Sequence, residues 1–311
     1  MARPKDSLPL NIMAKTESAP QTLDTDSLRR QRPWRSRLKK FIQTKPLGAA
    51  GALFLIFLFF VAIFADLLQN YDPQKSFYWD SVSPPSSRFW MGTDNYGRDI
   101  YSRVVHGSRI SLIVGFTAVA VGVSLGTLWG TLSGFFGGKT DLIIQRFMDA
   151  ILAIPFLVSA MVIVAILGGG IHNVIIAIAF IQMPRSNRVV RGAVMTAKEN
   201  QYVEAANAVG ATTIRIMTRH ILPNVFAPIA IVVSIDLGAA IITEASLSFL
   251  GMGVQPPTST WGGILSVEGR EYIEAGPWIA IFPGIAISLT VLAFNIFGDA
   301  LRDVLDPRLR Q

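Results

Sequence analysis

Residues 47–68 are mostly Leu, Phe, Ile and Ala, and five further apolar stretches of similar length lie along the chain. A helix needs about 20 apolar residues to cross the hydrocarbon core of a bilayer. The six stretches run near residues 47–68, 110–135, 142–167, 173–190, 225–247 and 280–301. They predict an all-α membrane protein with six transmembrane helices. Composition agrees, since 51% of residues are hydrophobic and only 16% are charged, against about 25% charged in a soluble domain. The first run begins too late and is too long for a secretory signal peptide, so it is expected to remain as an anchor. Met13 is an alternative start.

Charge placement orients the spans. The chain carries a formal charge of +7, and Arg29, Arg30, Arg32, Arg35, Arg37, Lys39, Lys40 and Lys45 lie directly before the first run. Basic residues favour the cytoplasmic side, so residues 1–45 read as a cytoplasmic, largely disordered basic tail. Residues 305–311 read as a second cytoplasmic tail. Residues 69–109, with Pro73, Pro84 and Pro85, read as an outer, periplasmic loop. Residues 110–304 form the expected core of five spans. No nucleic-acid module accompanies the basic charge, so membrane lipid, not nucleic acid, is its expected partner. There is no cysteine, which excludes disulfides and thiolate metal sites.

Between the fourth and fifth runs lies a polar loop, residues 191–224, whose second part reads EAANAVGATTIRIMTRHILPN from Glu204 to Asn224. It is too charged to be a span. Residues 202–209 read as a short helix that ends at Gly210, where positive φ costs little. A second helix starts from Thr212, with Thr212 or Thr213 able to cap it, and stops near Pro223. Ala205, Ala206 and Ala208 leave a surface that another protein can approach closely.

This spacing, EAA…G followed by RHILPN, resembles the coupling loop of permease subunits in bacterial ABC importers, in the dipeptide/oligopeptide/nickel branch. The resemblance continues through GTDNYGRDIYSR at Gly92 to Arg103, ASLSFLGMGVQPP at Ala245 to Pro257, the Trp261-Gly262 pair, and AFNIFGDALRDVLDPRLR at Ala293 to Arg310. It covers roughly residues 34 to 310. The resemblance implies a multi-pass inner-membrane permease with both termini cytoplasmic, no catalysis of its own and no cofactor. It implies a second homologous permease subunit, two ATPase subunits and a periplasmic or lipid-anchored substrate-binding protein as partners. Coupling to the ATPase would fall to Glu204, Ala205, Ala206, Gly210, Ala211, Arg219, His220, Pro223 and Asn224. Peptides are the commonest solutes of this branch, while nickel, glutathione and opine-like compounds are carried by similar permeases.

Other residues stand out against the apolar runs. Gly122, Gly126, Gly130 and Gly134 recur every fourth position and predict a groove in which a neighbouring helix packs closely. Asp236 falls near the middle of the fifth run, where an ionisable group faces a bundle interior or a water path. It reads either as a pore residue meeting a cationic group, such as a peptide amino terminus, or as half of a pair with a polar group on another helix. Glu244, before LSFLG, matches the family pattern. Asp149, Asn295 and Asp299 read as structural or gating groups; with Asp236, the residues Glu244, Asp149 and Asn295 are candidates for the translocation path.

Enzyme and nucleotide readings fail on spacing. SGFFGGKT, Ser133 to Thr140, has serine where a P-loop needs its first glycine, and an apolar helix precedes it where a strand is required. His106, His172 and His220 sit in no metal-binding spacing, and no Ser-His-Asp pattern appears. A secondary transporter or channel would need an ion site or a filter, and the sequence offers neither.

Overall fold

The computed structural model describes residues 41–305. Both tails lie essentially outside the described residues, and the fold is that of the unit beginning at Lys45. Among the described residues the chain is helical, with one isolated backbone bridge between Thr93 and Asp99. Helix α1 (Pro46–Ile63) opens on proline, whose missing N–H has no intrahelical partner to lose at that position. Helix α2 (Ile100–Phe136) starts inside the segment assigned to the outer loop. The reason is local: the Asp99 carboxylate accepts from the Ser102 amide at 3.0 Å and caps the helix.

The third apolar run, expected as one span over 142–167, is broken. Helices α3 (Gly138–Leu152) and α4 (Phe156–Leu167) meet at 89°. Pro155 lies in the break; it has no N–H for a helical bond, and its ring turns Ile154 away from helical geometry. Helix α5 (Ile171–Lys198) continues past the expected end of the fourth run into the polar loop. Then come α6 (Gln201–Ala208), a turn at Thr213–Arg215 that leads into a π-helical turn at Ile216–Ile221, and α7 (Phe226–Phe249). The short helices α8 (Trp261–Leu265) and α9 (Val267–Glu271) precede α10 (Trp278–Leu305).

Among the described residues, α1, α2, α7 and α10 are long and apolar enough to cross a membrane, and the bent α3–α4 pair makes a fifth span if counted as one. Helix α5 is 28 residues long, but Gln182, Arg185, Asn187, Arg188 and Arg191 make its second half polar. The chain is a helical, multi-span membrane protein; among the described residues four or five of the six expected crossings are apolar helices of sufficient length.

The packing of α2 on α5 organises the core. The glycine row of α2 lies on a row of α5 carbonyls that also advances by four residues. A Cβ on Gly122 would sit 2.7 Å from the Ala179 carbonyl oxygen, on Gly126 2.7 Å from that of Met183, on Gly130 2.7 Å from that of Asn187, and on Gly134 2.8 Å from that of Arg191. The close approach expected from the glycine spacing is present, and it is backbone against backbone. Gly126→Ala should therefore destabilise the protein by about 1–3 kcal/mol, as overpacking does. Gly284 of α10 has nothing within 4 Å, so Gly284→Ala should be neutral or stabilise by up to about 1 kcal/mol. Thermal unfolding of the two purified variants checks this, and equal midpoints would contradict it.

Candidate functional site

The segment after α5 is folded by its own turn chemistry. Helix α6 ends at Gly210, which has φ +76°. The Gly210 amide donates to the Asn207 carbonyl at 2.9 Å and the Ala211 amide to that of Ala206 at 3.0 Å. These are the two bonds of a Schellman cap, and the left-handed glycine makes them. Thr212 accepts from the Arg215 amide at 3.4 Å and starts the next turn. The Asn224 carboxamide closes the segment by donating to the His220 carbonyl at 2.6 Å.

One face of this segment is glued to α5. Val203, Ala206, Ile216 and Ile221 are buried in a cluster with Val190, Val194 and Ala197 of α5 and with Val225. Of the residues assigned to coupling, Ala206 is buried, Ala211 and His220 are half-buried, and Glu204, Ala205, Gly210, Arg219, Pro223 and Asn224 are exposed. Val209 and Ile214 are 84% and 74% exposed. These apolar side chains flank the glycine break at the outward tip and lie outside the set assigned from the sequence. Their signal is present there all the same, as branched apolar residues just before and just after the Gly210 break.

The intramembrane candidates are not gathered in one place. Asp236 of α7 is 1% exposed and forms an ion pair with Arg185 of α5 at 3.2 Å. Ser186 Oγ donates to its other oxygen at 3.4 Å, and the Gln182 carboxamide donates to its backbone carbonyl at 3.1 Å. The pairing therefore lies inside this chain, between α5 and α7. Asp149 is exposed and accepts from Arg188 at 2.6 Å. Glu244 is fully buried and accepts from Ser111 Oγ at 3.1 Å and Ser248 Oγ at 2.9 Å, which ties α7 to α2. Asn295 is exposed on α10, with its carboxamide oxygen against Gly238. Among the described residues no cluster of His, Cys, Asp or Glu could hold a metal ion.

Just after the turn at Gly137 and Gly138, Asp141 lies in the first turn of α3. Asp141 accepts two bonds from Arg191, at 2.6 Å each, and is bonded by Ser133.

Residues 126–311 match the family described as binding-protein-dependent transport system inner membrane component. The chain is 44% identical over 279 residues to the glutathione transport system permease protein GsiD of Pectobacterium atrosepticum, covering 89% of this chain and 92% of the relative. It is 43% identical to the di/tripeptide transport system permease protein DppC of Pseudomonas aeruginosa, covering 88% and 93%. The dipeptide permease protein DppC of Alkalihalophilus pseudofirmus is 41% identical, covering 89% and 91%. The chain belongs to this family. The fold of this permease is shared with a chain of the inward-facing MetNI methionine ABC transporter, at a TM-score of 0.55 and 19% identity, covering 67% of this chain and 98% of that one. It is an inner-membrane, multi-pass component of a binding-protein-dependent transport system.

At the other end of the permease, GTDNYGRDIYSR folds around Asp94. Its carboxylate accepts from the amides of Tyr96 at 2.8 Å and Arg98 at 2.9 Å, and from Arg98 Nε at 2.7 Å, and it is paired with Arg103. The indole of Trp278 donates to the Thr93 carbonyl at 3.1 Å, and that of Trp261 to the Val104 carbonyl at 2.9 Å. Burial pushes the neighbouring Asp99 carboxyl above its ordinary range, against the pull of its Ser102 hydrogen bonds.

The glycine cap makes a discriminating prediction. Open space surrounds Gly210, so any cost of substitution comes from φ alone, about 1–2 kcal/mol for a residue that resists the left-handed region. In Gly210→Val the Ala211 amide should lose about tenfold of its protection from hydrogen exchange. Gly210→Asn should stay near wild type, because asparagine tolerates that region. Equal protection in the two variants would refute the assignment.

Proposed function

We propose that this permease forms half of a translocation pore for di- or oligopeptides and is driven by ATPase subunits that dock on residues 204–224. The geometry of that segment carries the reading. It is rigidly capped, anchored to α5 on one face, and presents Glu204, Val209 and Ile214 outward on the other. The peptide assignment rests on relatives named for glutathione, dipeptides and di/tripeptides.

In this reading α5 and the bent α3–α4 pair complete six spans, and residues 204–224 face the cytoplasm together with both termini. Residues 1–45 and 305–311 are the cytoplasmic tails, residues 69–109 the outer cap with the first turns of α2, and residues 110–304 the core. A second homologous permease supplies the other half of the pore. A periplasmic or lipid-anchored binding protein delivers the solute. Two ATPase subunits hydrolyse ATP, and their closure pushes α6. Since α6 is packed on the end of α5, the push moves that helix against α7. The ATP-bound state must contact α6 differently from the free state for this to shift the pore.

Two measurements test the reading. Glu204→Lys should abolish ATP-coupled uptake by the assembled importer while the chain still inserts and co-purifies with its partner permease. The chain has no cysteine, so Asn207→Cys supplies a unique label. An impermeant thiol reagent should leave it unlabelled in intact cells and label it in inverted vesicles; labelling from outside would overturn the topology. Uptake that persists without ATP would favour a secondary transporter.

The same reading assigns no nucleotide to this subunit. Lys139→Ala should leave the ATP affinity of the assembled importer unchanged, and loss of ATP photolabelling on this chain after that change would contradict it.

A further inference from the structure

Arg185 and Asp236 form an ion pair with only one member in reach of solvent. The aspartate side chain is 1% exposed and the arginine side chain 53%. Their 3.2 Å contact is one of charge, since Asp236 Oδ1 accepts no hydrogen bond. A guanidinium has five N–H donors in a planar fork, and this pair leaves most of that fork unused. Arg185 sits near the middle of α5, a 28-residue helix. The sequence places it within the fourth apolar stretch, residues 173–190, where a cation is expensive against lipid and belongs on a bundle interior or a water-filled path. The α2 glycine row covers the α5 face at Ala179, Met183 and Asn187. Ser186 and Gln182 bond Asp236 of α7. Arg185 lies on the face these neighbours leave open.

We propose that Arg185 contacts the carboxylate of the transported solute inside the translocation path, and that Asp236 is the positioning residue that holds the guanidinium there. This deepens the peptide-importer reading and rests on it. A peptide carries one terminal carboxylate whatever its side chains, and the arginine fork matches that group in shape and charge. The buried aspartate offsets part of the arginine's charge, so the carboxylate is held weakly. That suits a path, where the solute must also leave. The end of the pair presented to the solute is thus cationic, the reverse of what Asp236 alone suggests in the sequence.

The competing role is cohesion, with the pair doing no more than holding α5 to α7. Uptake of dialanine and of its C-terminal amide by the assembled importer in proteoliposomes, with its binding protein, separates the two. Arg185→Gln alone leaves a buried uncompensated aspartate and can fail to assemble, so the decisive variant is Arg185→Gln with Asp236→Asn. The proposal expects this double variant to co-purify normally with the partner permease. Its dialanine uptake should fall about tenfold, the loss of one charge-assisted contact, with no matching fall for the amide. Wild-type dialanine uptake in the double variant would overturn the proposal and leave cohesion. An equal fall for both probes would also overturn it. If the wild-type importer takes up neither probe with ATP present, the peptide-importer reading itself fails, which is distinct from a failure confined to Arg185.

Discussion

Everything else in the core depends on the contact between two backbones. Lipid tails are as apolar as leucine, so helices in a bilayer associate through close van der Waals packing and hydrogen bonds. The four glycines of α2 let its backbone settle onto the carbonyl row of α5. That approach brings polar groups within reach that the bilayer would otherwise penalise. Gln145 of α3 donates to Ser133 Oγ and to Asn187 Oδ1, both at 2.9 Å. Arg191 makes its two bonds to Asp141 one turn further on. Helix α5 can thus carry a polar second half that its own apolar length would not support in lipid.

The same helix leads without interruption to the loop segment. Its last turns supply Val190, Val194 and Ala197 to the cluster that buries Val203, Ala206, Ile216 and Ile221, and Lys198 donates to the Phe135 carbonyl at 2.7 Å. The segment between α5 and α7 is therefore a packed extension of α5, stiffened by its Schellman cap. A displacement applied to α6 is a displacement of the α5 terminus, and the glycine row fixes the axis along which α5 bears on α2. Arg185 and Arg188 lie on that same helix, with side chains about equally exposed.

Much of this is legible in the sequence because it is written in local signals. Apolar run length gives four of the crossings among the described residues, glycine at every fourth position gives the α2 packing face, and Gly210 with Thr212 gives the two-part segment. What is not legible depends on tertiary partners. Hydropathy runs unbroken over 142–167, and only the geometry at Ile154 and Pro155 turns α3 away from α4. Asp99 as a cap for α2 can be read from the Asp before IYS, but the proline-rich stretch ahead of it makes the whole region look like loop. Arg185 and Asp236 lie on separate elements, and nothing in either local context names the other. Asp236 alone therefore suggests an anionic site, whereas the exposed end of the pair is the guanidinium.

Three arginines on α5 divide the work by exposure. Arg185, Arg188 and Arg191 advance by three residues along α5 and reach Asp236 on α7, Asp149 on α3 and Asp141 on α3. The Arg191–Asp141 pair is bidentate and partly buried, with side chains 31% and 20% exposed, so it is the one geometry here that binds two elements firmly. The Arg188–Asp149 pair is half-exposed on both sides, and such pairs contribute about 1 kcal/mol or less. Helix α3 is consequently tied by charge at its first turn, and toward its end by Ile144 and Met148 packed against Met183 of α5. Helix α4 itself contributes Ala160 and Val164 to the main core. The bend at Pro155 thus joins a helix packed on α5 through Met148 and Ile151 to one buried in the main core.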